Sequence, residues 1–242
     1  MTQKTVRNRR QDTIYNTILN KIQYCEWLPG MPISEMSLSE TFQISRTPIR
    51  EALSLLSRRG FVDIYPQAGS FISKIDIKRI REIQYLRYHV ELPILLELAK
   101  SHKPVPERIE QLLLLEEFAA KKENWVECVQ LDYSIHEELI TWGNHKEIWD
   151  LIAPELPHCT RLRFFKSNYS EFKGEVPTTL KEHQQLVKNI ADGDVDAIRH
   201  TMDVHYNHVI AISDDFRSNS NHHYLLEQIK QYPDYFVNLG VL

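Results

Sequence analysis

Two side chains that can ligate a metal ion lie four residues apart in the second half of this 242-residue sequence. Asp132 and His136 fall within a stretch of helical periodicity, and residues four apart leave a helix on the same face. One carboxylate and one imidazole on a common face are ligands that divalent cations accept. The alternative is that Asp132 and His136 form an ordinary surface pair.

A second group of chemically capable residues lies near the N-terminus, at the predicted start of a helix. Its arginines, Arg46 and Arg50, can bridge guanine O6 and N7 or clamp a phosphate. The hydroxyls of Ser45 and Thr47, with the backbone N–H groups of a helix start, suit phosphate oxygens. The alternative is that the arginines are solvated surface charges and that Ser45 or Thr47 only caps the helix.

The elements around this second group predict a winged helix-turn-helix. In that motif the N-terminal residues of the last helix face base edges in the major groove. The first predicted helix follows from an apolar repeat at Ile14, Ile18 and Ile22, and Gly60 ends the third helix. The predicted elements are a helix over residues 12–27, a short helix over 38–42 capped by Ser37, a third helix from about Thr47, and strands over 61–65 and 70–73.

Composition separates the chain into two halves of opposite charge. The net charge is −4 and the pI about 6.3, which argues against a nucleic-acid partner for the chain as a whole. Residues 1–75, however, hold 10 Lys and Arg against 6 Asp and Glu, whereas residues 76–242 hold 19 against 27. This asymmetry predicts a nucleic-acid-binding domain over 1–75 and a separate domain over 76–242. Only 7 glycines occur, which disfavours an all-β fold.

The remaining composition predicts a cytoplasmic protein. Its 3 cysteines lie far apart without a CxxC, so neither a disulfide framework nor a Cys-rich zinc site is expected. The basic residues 1–10 lead into no apolar segment, which excludes a signal peptide. No apolar run approaches the roughly 18 residues of a membrane span.

The string from Ile44 to Leu53, Ile-Ser-Arg-Thr-Pro-Ile-Arg-Glu-Ala-Leu, closely resembles the recognition-helix signature of the GntR family of bacterial transcription regulators. The resemblance covers about residues 10–73. It implies a homodimer that binds a palindromic DNA operator through Ser45, Arg46, Thr47 and Arg50, with Gly69 in the wing. The supporting matches are Leu28-Pro29-Gly30, Ser34-Glu35, Leu38-Ser39-Glu40 and Gly60-Phe61-Val62.

Two positions depart from the family pattern. Met36 stands where many relatives place a basic phosphate contact. The wing sequence Gln67-Ala68-Gly69 lacks the arginine that is common before the glycine. Gly69 is therefore expected to contribute only a close backbone approach.

From Asp76 onwards the pattern is helical and predicts an antiparallel six- or seven-helix bundle. The chain as a whole is thus expected to be mainly α. Pro93 is expected to kink the first long helix, and Pro154 and Pro157 to bend or split the fourth. The predicted helices cover about residues 76–101, 104–122, 124–142, 146–166, 178–191 and 194–212, with a short tail helix near 223–231.

This helical half resembles the FCD ligand-binding domain of the FadR branch of the family. The resemblance implies a divalent-metal site of Asp132, His136, His183 and His205, on helices that a bundle can point inward at one height. One carboxylate and three imidazoles suit Zn²⁺, Ni²⁺ or Mn²⁺ and leave room for water or an effector oxygen. His208 is the main rival ligand, and His200 lies further round its helix. The matches are Arg87-x3-Glu91-x-Pro93, Asp132-x3-His136, Glu182-His183 and Gly193-Asp194 followed by Ala197 and His205.

A metal in an acidic pocket favours a small carboxylate effector. Arg87 could pair with such a carboxylate through a bidentate fork, or form a salt bridge to Glu91 instead. Arg161 and Arg163 are further candidates, whereas the aromatic residues Tyr133, Trp142, Phe164 and Phe165 are expected in the core.

The function that this sequence favours is therefore a DNA-binding transcription regulator whose operator affinity is controlled by a carboxylate metabolite at a metal-containing pocket. One alternative is a direct metal sensor, in which the ion itself is the signal. Another is a helical metalloenzyme, which is disfavoured because the sequence has no HExxH, His-Asp dipeptide, GxSxG or P-loop.

Overall fold

The computed structural model describes the backbone of residues 3–169 and 179–215, and the side chains of residues 12–165 and 179–207. Within this part of the chain, one compact unit ends at Asp76 and a second begins at Ile77. Each unit has its own apolar core. The tail helix predicted near residues 223–231 lies outside the described residues.

The first unit is the predicted winged helix-turn-helix. In its antiparallel sheet β3 (Gly69–Ile72) lies between β1 (Pro32–Ile33) and β2 (Val62–Tyr65). Val62 lies opposite Ile72, and Tyr65 opposite Gly69. The short strand β1 was not predicted, because two residues are too few to display an alternating pattern. The elements are α1 (Gln3–Gln23), β1 (Pro32–Ile33), α2 (Glu35–Phe42), α3 (Arg46–Arg58), β2 (Val62–Tyr65) and β3 (Gly69–Ile72).

The apolar faces of α1 and α3 build the core of this unit. Ile18 and Ile22 of α1 and Ile49 and Leu56 of α3 are completely buried, as their spacing of four and seven residues requires. Complete burial of such a side chain contributes about 1.5–3 kcal/mol to folding. The core therefore holds α3 so that its N-terminal turn can be presented to solvent.

Three predicted helix boundaries in the first unit were wrong. The first helix begins at Gln3 and not near Asp12. The first helix ends at Gln23 and not near Trp27, because Cys25 adopts a left-handed conformation with φ 55°. The second helix begins at Glu35, since Ser34 and not Ser37 is its cap: the Ser34 hydroxyl accepts a hydrogen bond from the backbone N–H of Ser37.

The second unit is a helical bundle, with seven α-helices in the part of it that the structure describes. A single 3₁₀ turn, Ala153–Glu155, divides the predicted fourth helix into two at Pro154. Pro93, by contrast, lies inside one continuous helix. The helices are α4 (Ile77–Ser101), α5 (Glu107–Lys121), α6 (Trp125–Trp142), α7 (Lys146–Ile152), α8 (Leu156–Tyr169), α9 (Leu180–Asp192) and α10 (Val195–Asp215).

Local signals define where the helices of the bundle begin and end. The side chain of Asn124 caps α6 by accepting from the backbone N–H of Glu127, and Gly193 ends α9 at φ 73°. Between the helices, Leu95, Ile135 and Ile198 are among the residues that form a buried core. This packing places α4, α5, α6, α9 and α10 around a common interior. Among the described helices, none is both long and apolar enough to cross a membrane.

Candidate metal centre and DNA-binding surface

Four buried side chains converge inside the helical bundle. Asp132 and His136 extend from α6, His183 from α9 and His205 from α10, and none is more than 3% exposed. One candidate ligand atom from each lies within 4.8 Å of the others. The Nε2 atoms of His136 and His205 are 3.0 Å apart, and Nε2 of His183 lies 3.6 Å from Oδ1 of Asp132.

Each of the three imidazoles donates its Nδ1 hydrogen to a glutamate on a different helix. Because a carboxylate can only accept, the hydrogen in each bond belongs to the imidazole. A neutral imidazole that carries its hydrogen on Nδ1 has its lone pair on Nε2. The distances are 2.6 Å from His136 to Oε2 of Glu91, 2.9 Å from His183 to Oε2 of Glu116, and 3.0 Å from His205 to Oε2 of Glu182.

The interior atoms of the four side chains consequently need a proton or a cation between them. Two Nε2 lone pairs cannot face each other at 3.0 Å, as those of His136 and His205 do, without a proton or a positive ion between them. Nε2 of His183 and Oδ2 of Asp132 are buried and have no hydrogen-bond partner among the described residues. Unsatisfied buried polar atoms are costly unless something pairs them. Three imidazole nitrogens and one carboxylate oxygen are a donor set that fits a divalent transition metal.

The electrostatic environment keeps most of these groups in the protonation state that a metal requires. Burial lowers the pKa of His136, opposed by the Glu91 carboxylate, and burial with the neighbouring His136 lowers the pKa of His205 well below its ordinary value. Burial disfavours the charged form of Asp132, but Arg163 and the histidines outweigh it and hold its pKa well below the usual range. His136 and His205 are therefore neutral, and Asp132 is ionised, near pH 7.

Arg87 forms a salt bridge to Glu91, which the sequence analysis gave as the alternative to binding an effector carboxylate. Its Nε donates to Oε1 of Glu91 at 2.9 Å, and both side chains are buried. The guanidinium carbon lies 5.3 Å from the ring centre of Tyr206 and 5.8 Å from those of Tyr133 and Trp149. Burial raises the pKa of Glu91, but Arg87 and His136 outweigh it and lower that pKa to about 2. Nη2 of Arg87 is buried without a hydrogen-bond partner in the described residues.

The other two predicted effector residues are also buried. Nη1 of Arg163 lies 3.4 Å from Oδ2 of Asp132, so this arginine borders the cluster, whereas Arg161 is 1% exposed. Phe164 and Phe165 are buried in the interior. Tyr133, also expected in the core, is only partly buried and packs against it. Its ring packs against the guanidinium groups of both Arg87 and Arg163. The rival ligand His208 belongs to α10, but its side chain lies outside the described residues.

The four residues predicted to contact DNA lie together and exposed at the N-terminus of α3. Ser45 is the N-cap of α3 but its side chain makes no capping hydrogen bond, so capping does not occupy this hydroxyl. Arg46 and Thr47 are exposed. Arg50 donates from Nε and Nη2 to the carboxylate of Glu35 on α2, at 3.1 and 2.9 Å.

Gly69 lies at the start of β3 in the wing. Its φ is 108°, which side chains rarely adopt, and an added Cβ would meet no atom closer than 3.9 Å. Backbone conformation and not lack of space therefore explains the glycine. The open space above it is compatible with the close backbone approach that the sequence predicts.

Sequence reasoning missed two residues that contact the cluster. Glu116 falls in an acidic pair that reads as solvent-exposed, yet it is 1% exposed and binds His183. Its spacing from the buried Leu112 and Ala119 was the signal that could have found it. Thr179 donates from Oγ1 to Oδ1 of Asp132 at 2.7 Å, and no pattern in the sequence indicates this contact.

Comparison with known families divides the chain in the same way as its composition does. The sequence profile of the bacterial regulatory proteins, gntR family, matches residues 10–72. The profile of the FCD domain matches residues 82–208. The first match contains the exposed residues of α3 and the wing, and the second contains all four side chains of the buried cluster.

Similar proteins are transcription regulators. An HTH-type transcriptional regulator in an unstable DNA locus of Streptomyces ambofaciens is 29% identical over 222 residues, which cover 91% of each chain. The HTH-type transcriptional repressor RspR of Escherichia coli K12 is 26% identical over 193 residues, 79% of this chain and 83% of that protein. The gluconate operon transcriptional repressor of Bacillus subtilis is 25% identical over 150 residues, 59% of this chain and 61% of that protein.

Solved structures share the fold. E. coli McbR/YncC superposes with a TM-score of 0.69 at 17% identity, covering 86% of this chain and 98% of that one. A GntR transcriptional regulator from Rhodococcus sp. RHA1 gives a TM-score of 0.68 at 19% identity, covering 84% and 97%. These structures confirm the predicted fold class, while the family profiles and the similar sequences support a transcription regulator. The chain belongs to the GntR family of bacterial transcription regulators and carries an FCD domain after its DNA-binding domain.

Proposed function

We propose that this regulator is a repressor whose affinity for its operator is controlled by a small carboxylate metabolite, bound at a divalent metal in the helical unit. The observation that carries the proposal is the facing pair of imidazoles, with Nε2 of His136 and Nε2 of His205 separated by 3.0 Å. Glutamates accept the hydrogens of both Nδ1 atoms. A cation is the simplest group that satisfies both nitrogens together.

Asp132, His136, His183 and His205 would hold this metal. The lack of a hydrogen bond at Oδ2 of Asp132 and at Nε2 of His183 among the described residues supports this set, because both atoms are buried beside the imidazole pair. When bound, a Zn²⁺, Ni²⁺ or Mn²⁺ ion supplies a Lewis acid that accepts an oxygen from the effector. Four protein ligands leave coordination positions for that oxygen in an octahedral shell.

The carboxylate of the effector would be recognised by arginine. Arg87 supports this role through its buried Nη2, which is unpaired among the described residues, while its Nε remains on Glu91. Arg163 supports it through its position beside Asp132. Arg161 is retained as a third candidate because its guanidinium is also buried in the helical unit.

The first unit would bind a palindromic DNA operator as a homodimer. Ser45, Arg46, Thr47 and Arg50 would contact bases and phosphates, and Gly69 would bring the wing backbone close to DNA. Repression is proposed because RspR and the gluconate operon regulator are named repressors. We assign residues 1–75 to DNA binding and residues 76–242 to metal binding, effector binding and dimerisation.

Elemental analysis of the purified protein tests the metal. We expect about one divalent ion per chain in the wild type and a clear loss in His183→Ala, which removes one of the four ligands. His200→Ala is the matched control, because His200 is an exposed histidine on α10 outside the cluster. If His183→Ala keeps the metal content of the wild type, the proposed four-ligand site is wrong.

A thermal-shift screen of small organic acids, with and without chelator, tests the effector. An acid that binds the native state raises the midpoint of unfolding by mass action. We expect stabilisation by at least one carboxylate, and we expect the chelator to abolish it. If metal alone, without any acid, changes DNA affinity, the direct metal-sensor alternative is favoured instead.

A further inference from the structure

Each of the four candidate metal ligands has its own hydrogen-bond partner, and three of these partners, Glu91, Glu116 and Thr179, are buried. Glu91, Glu116 and Glu182 accept from the Nδ1 atoms of His136, His183 and His205. Thr179 donates to Oδ1 of Asp132. We propose that these four partners are positioning residues, which fix each imidazole as an Nε2 ligand and direct Oδ2 of Asp132 to the metal. This inference rests on the proposed metal site.

The geometry supports a positioning role because the arrangement repeats three times with the same atoms. In every case Nδ1 faces the carboxylate and Nε2 faces the shared interior. The partner comes from a different place each time: α4 for His136, α5 for His183 and α9 for His205. Packing alone gives no reason for three imidazoles to share one orientation, whereas a common ion at Nε2 requires it.

Burial is the second argument. Glu91 and Glu116 are each 1% exposed, and removing a carboxylate from water is expensive unless its contacts offset the cost. Glu91 gains a hydrogen bond from Arg87 as well as from His136. Within the described part of the chain, Glu116 forms its hydrogen bond and its ion pair with His183. Its burial is therefore explained by the imidazole that it orients.

Thr179 completes the set in a different manner. Its hydroxyl engages Oδ1 of Asp132 and leaves Oδ2 without a hydrogen bond. The two carboxylate oxygens thus have separate tasks, with Oδ1 anchored and Oδ2 available to a cation. Partners of this kind raise metal affinity because the ligands need no reorientation when the ion binds.

Glu116 is the best position for a test, because its recorded partner is a single imidazole. We expect Glu116→Ala to weaken Zn²⁺ binding about 10–100-fold, the usual effect of losing such a partner. Glu116→Gln keeps an accepting oxygen but loses the charge, so its Zn²⁺ affinity should lie between those of the wild type and Glu116→Ala. The measurement is competition for Zn²⁺ with a chromophoric chelator.

Glu117→Ala is the matched control, because it removes the same charge one residue away on α5, where Glu117 pairs with Lys121. Its Zn²⁺ affinity should equal that of the wild type. The visible spectrum of the Co²⁺-substituted protein gives a readout that a merely structural role would not alter. We expect that spectrum to change in Glu116→Ala and to stay unchanged in Glu117→Ala.

A double variant separates positioning from folding. In the His183→Ala background the ligand that Glu116 orients is gone, so adding Glu116→Ala should weaken Zn²⁺ binding no further. If Glu116→Ala does not fold, Glu116→Gln and Thr179→Val, which closely preserve side-chain size, carry the test with the same two readouts. Both should weaken Zn²⁺ binding.

The outcomes distinguish this inference from the function on which it rests. A wild-type protein that binds neither Zn²⁺ nor Co²⁺ refutes the metal site and the positioning role together. Normal wild-type binding, with wild-type affinity and Co²⁺ spectrum in Glu116→Ala, Glu116→Gln and Thr179→Val, refutes only the positioning role, even if the thermal midpoints of those variants fall.

Discussion

At the scale of single residues, Arg50 is held in one orientation on the surface that we propose to face DNA. The carboxylate of Glu35 binds its Nε and Nη2 atoms, and the side chain of Arg50 is 70% exposed. An ion pair so exposed adds little to stability. Its value lies in holding a long, flexible side chain in one orientation before DNA arrives, which lowers the entropy lost on binding.

Arg46 makes no such pair among the described residues and is the clearer test of the recognition surface. On a duplex selected from random sequence by the wild type, we predict that Arg46→Ala weakens binding by about 1–3 kcal/mol, the usual value of a specific arginine–base contact. The measurement is a titration by fluorescence anisotropy at fixed salt.

Arg58→Ala provides the comparison for this titration. Arg58 carries the same charge in the last turn of α3, opposite the proposed contact end. Its removal should change affinity much less than removal of Arg46. Equal losses in the two variants would mean that charge, and not position on α3, governs binding.

At the scale of elements, the junction between α9 and α10 determines how two proposed ligands are presented. Gly193 ends α9 in the left-handed region at φ 73°, and an added Cβ would lie 3.1 Å from Cε1 of His102. His183 and His205 lie on either side of this junction. The turn at Gly193 therefore connects the two helices that carry these cluster residues.

We predict that Gly193→Ala lowers the free energy of unfolding by about 1–2 kcal/mol, because a left-handed conformation costs an alanine that amount. Gly193→Asn should be less destabilised, since asparagine tolerates this conformation better although it carries the same Cβ. Chemical denaturation of the chelator-treated proteins measures the difference. Equal stabilities for the two variants would show that contact with His102, not backbone strain, is decisive.

The elements that the sequence predicted well are those with local signals. Asn124 predicted the start of α6 and Gly193 predicted the end of α9. In the structure Asn124 caps α6 and Gly193 ends α9. The first helix was predicted too long because Trp27 continues the apolar pattern. That side chain does pack against the core of the first unit, but from beyond the helix end.

The candidate site was predictable only in part for a similar reason. The spacing of Asp132 and His136 indicates a shared helix face and predicts them as ligands. His183 and His205 were predicted from the family resemblance. The contact between Glu116 and His183 joins residues 67 positions apart. Spacing along one helix carries no information about such a pairing between α5 and α9, so Glu116 had no detectable role.

At the scale of the whole molecule, the net charge of −4 is an average over two units with different partners. The DNA-binding half carries an excess of basic residues, and the helical half an excess of acidic ones. Such a distribution favours phosphate contact by the first unit and discourages it for the second. It also suits the second unit to hosting a cation.

Dimerisation is expected to use an exposed apolar surface of the helical unit. Helices α4 and α7 share a small buried cluster that includes Ile94 and Trp149. Each helix also exposes a leucine, Leu86 at 49% and Leu151 at 80%. A contiguous exposed apolar patch marks an association surface, which makes Leu86 and Leu151 candidates for one.

We predict that Leu151→Arg converts the protein to monomers, because a charge buried in an apolar interface would be left desolvated and unpaired. Leu114→Arg tests the other exposed apolar surface, on α5, where Leu114 is 66% exposed and Leu115 and Phe118 are also exposed. Light scattering after size-exclusion chromatography gives the masses. A dimeric Leu151→Arg protein would exclude this surface.

Glu91 gives one carboxylate to two neighbours, Arg87 on one oxygen and His136 on the other. A metabolite that binds Arg87 and an ion that binds His136 would therefore both affect the Glu91 carboxylate. Such coupling is reciprocal: whatever factor the ion contributes to affinity for the metabolite, the metabolite returns to the ion. The regulator would then behave as a coincidence detector, whose threshold for its metabolite moves with the supply of metal in the cell.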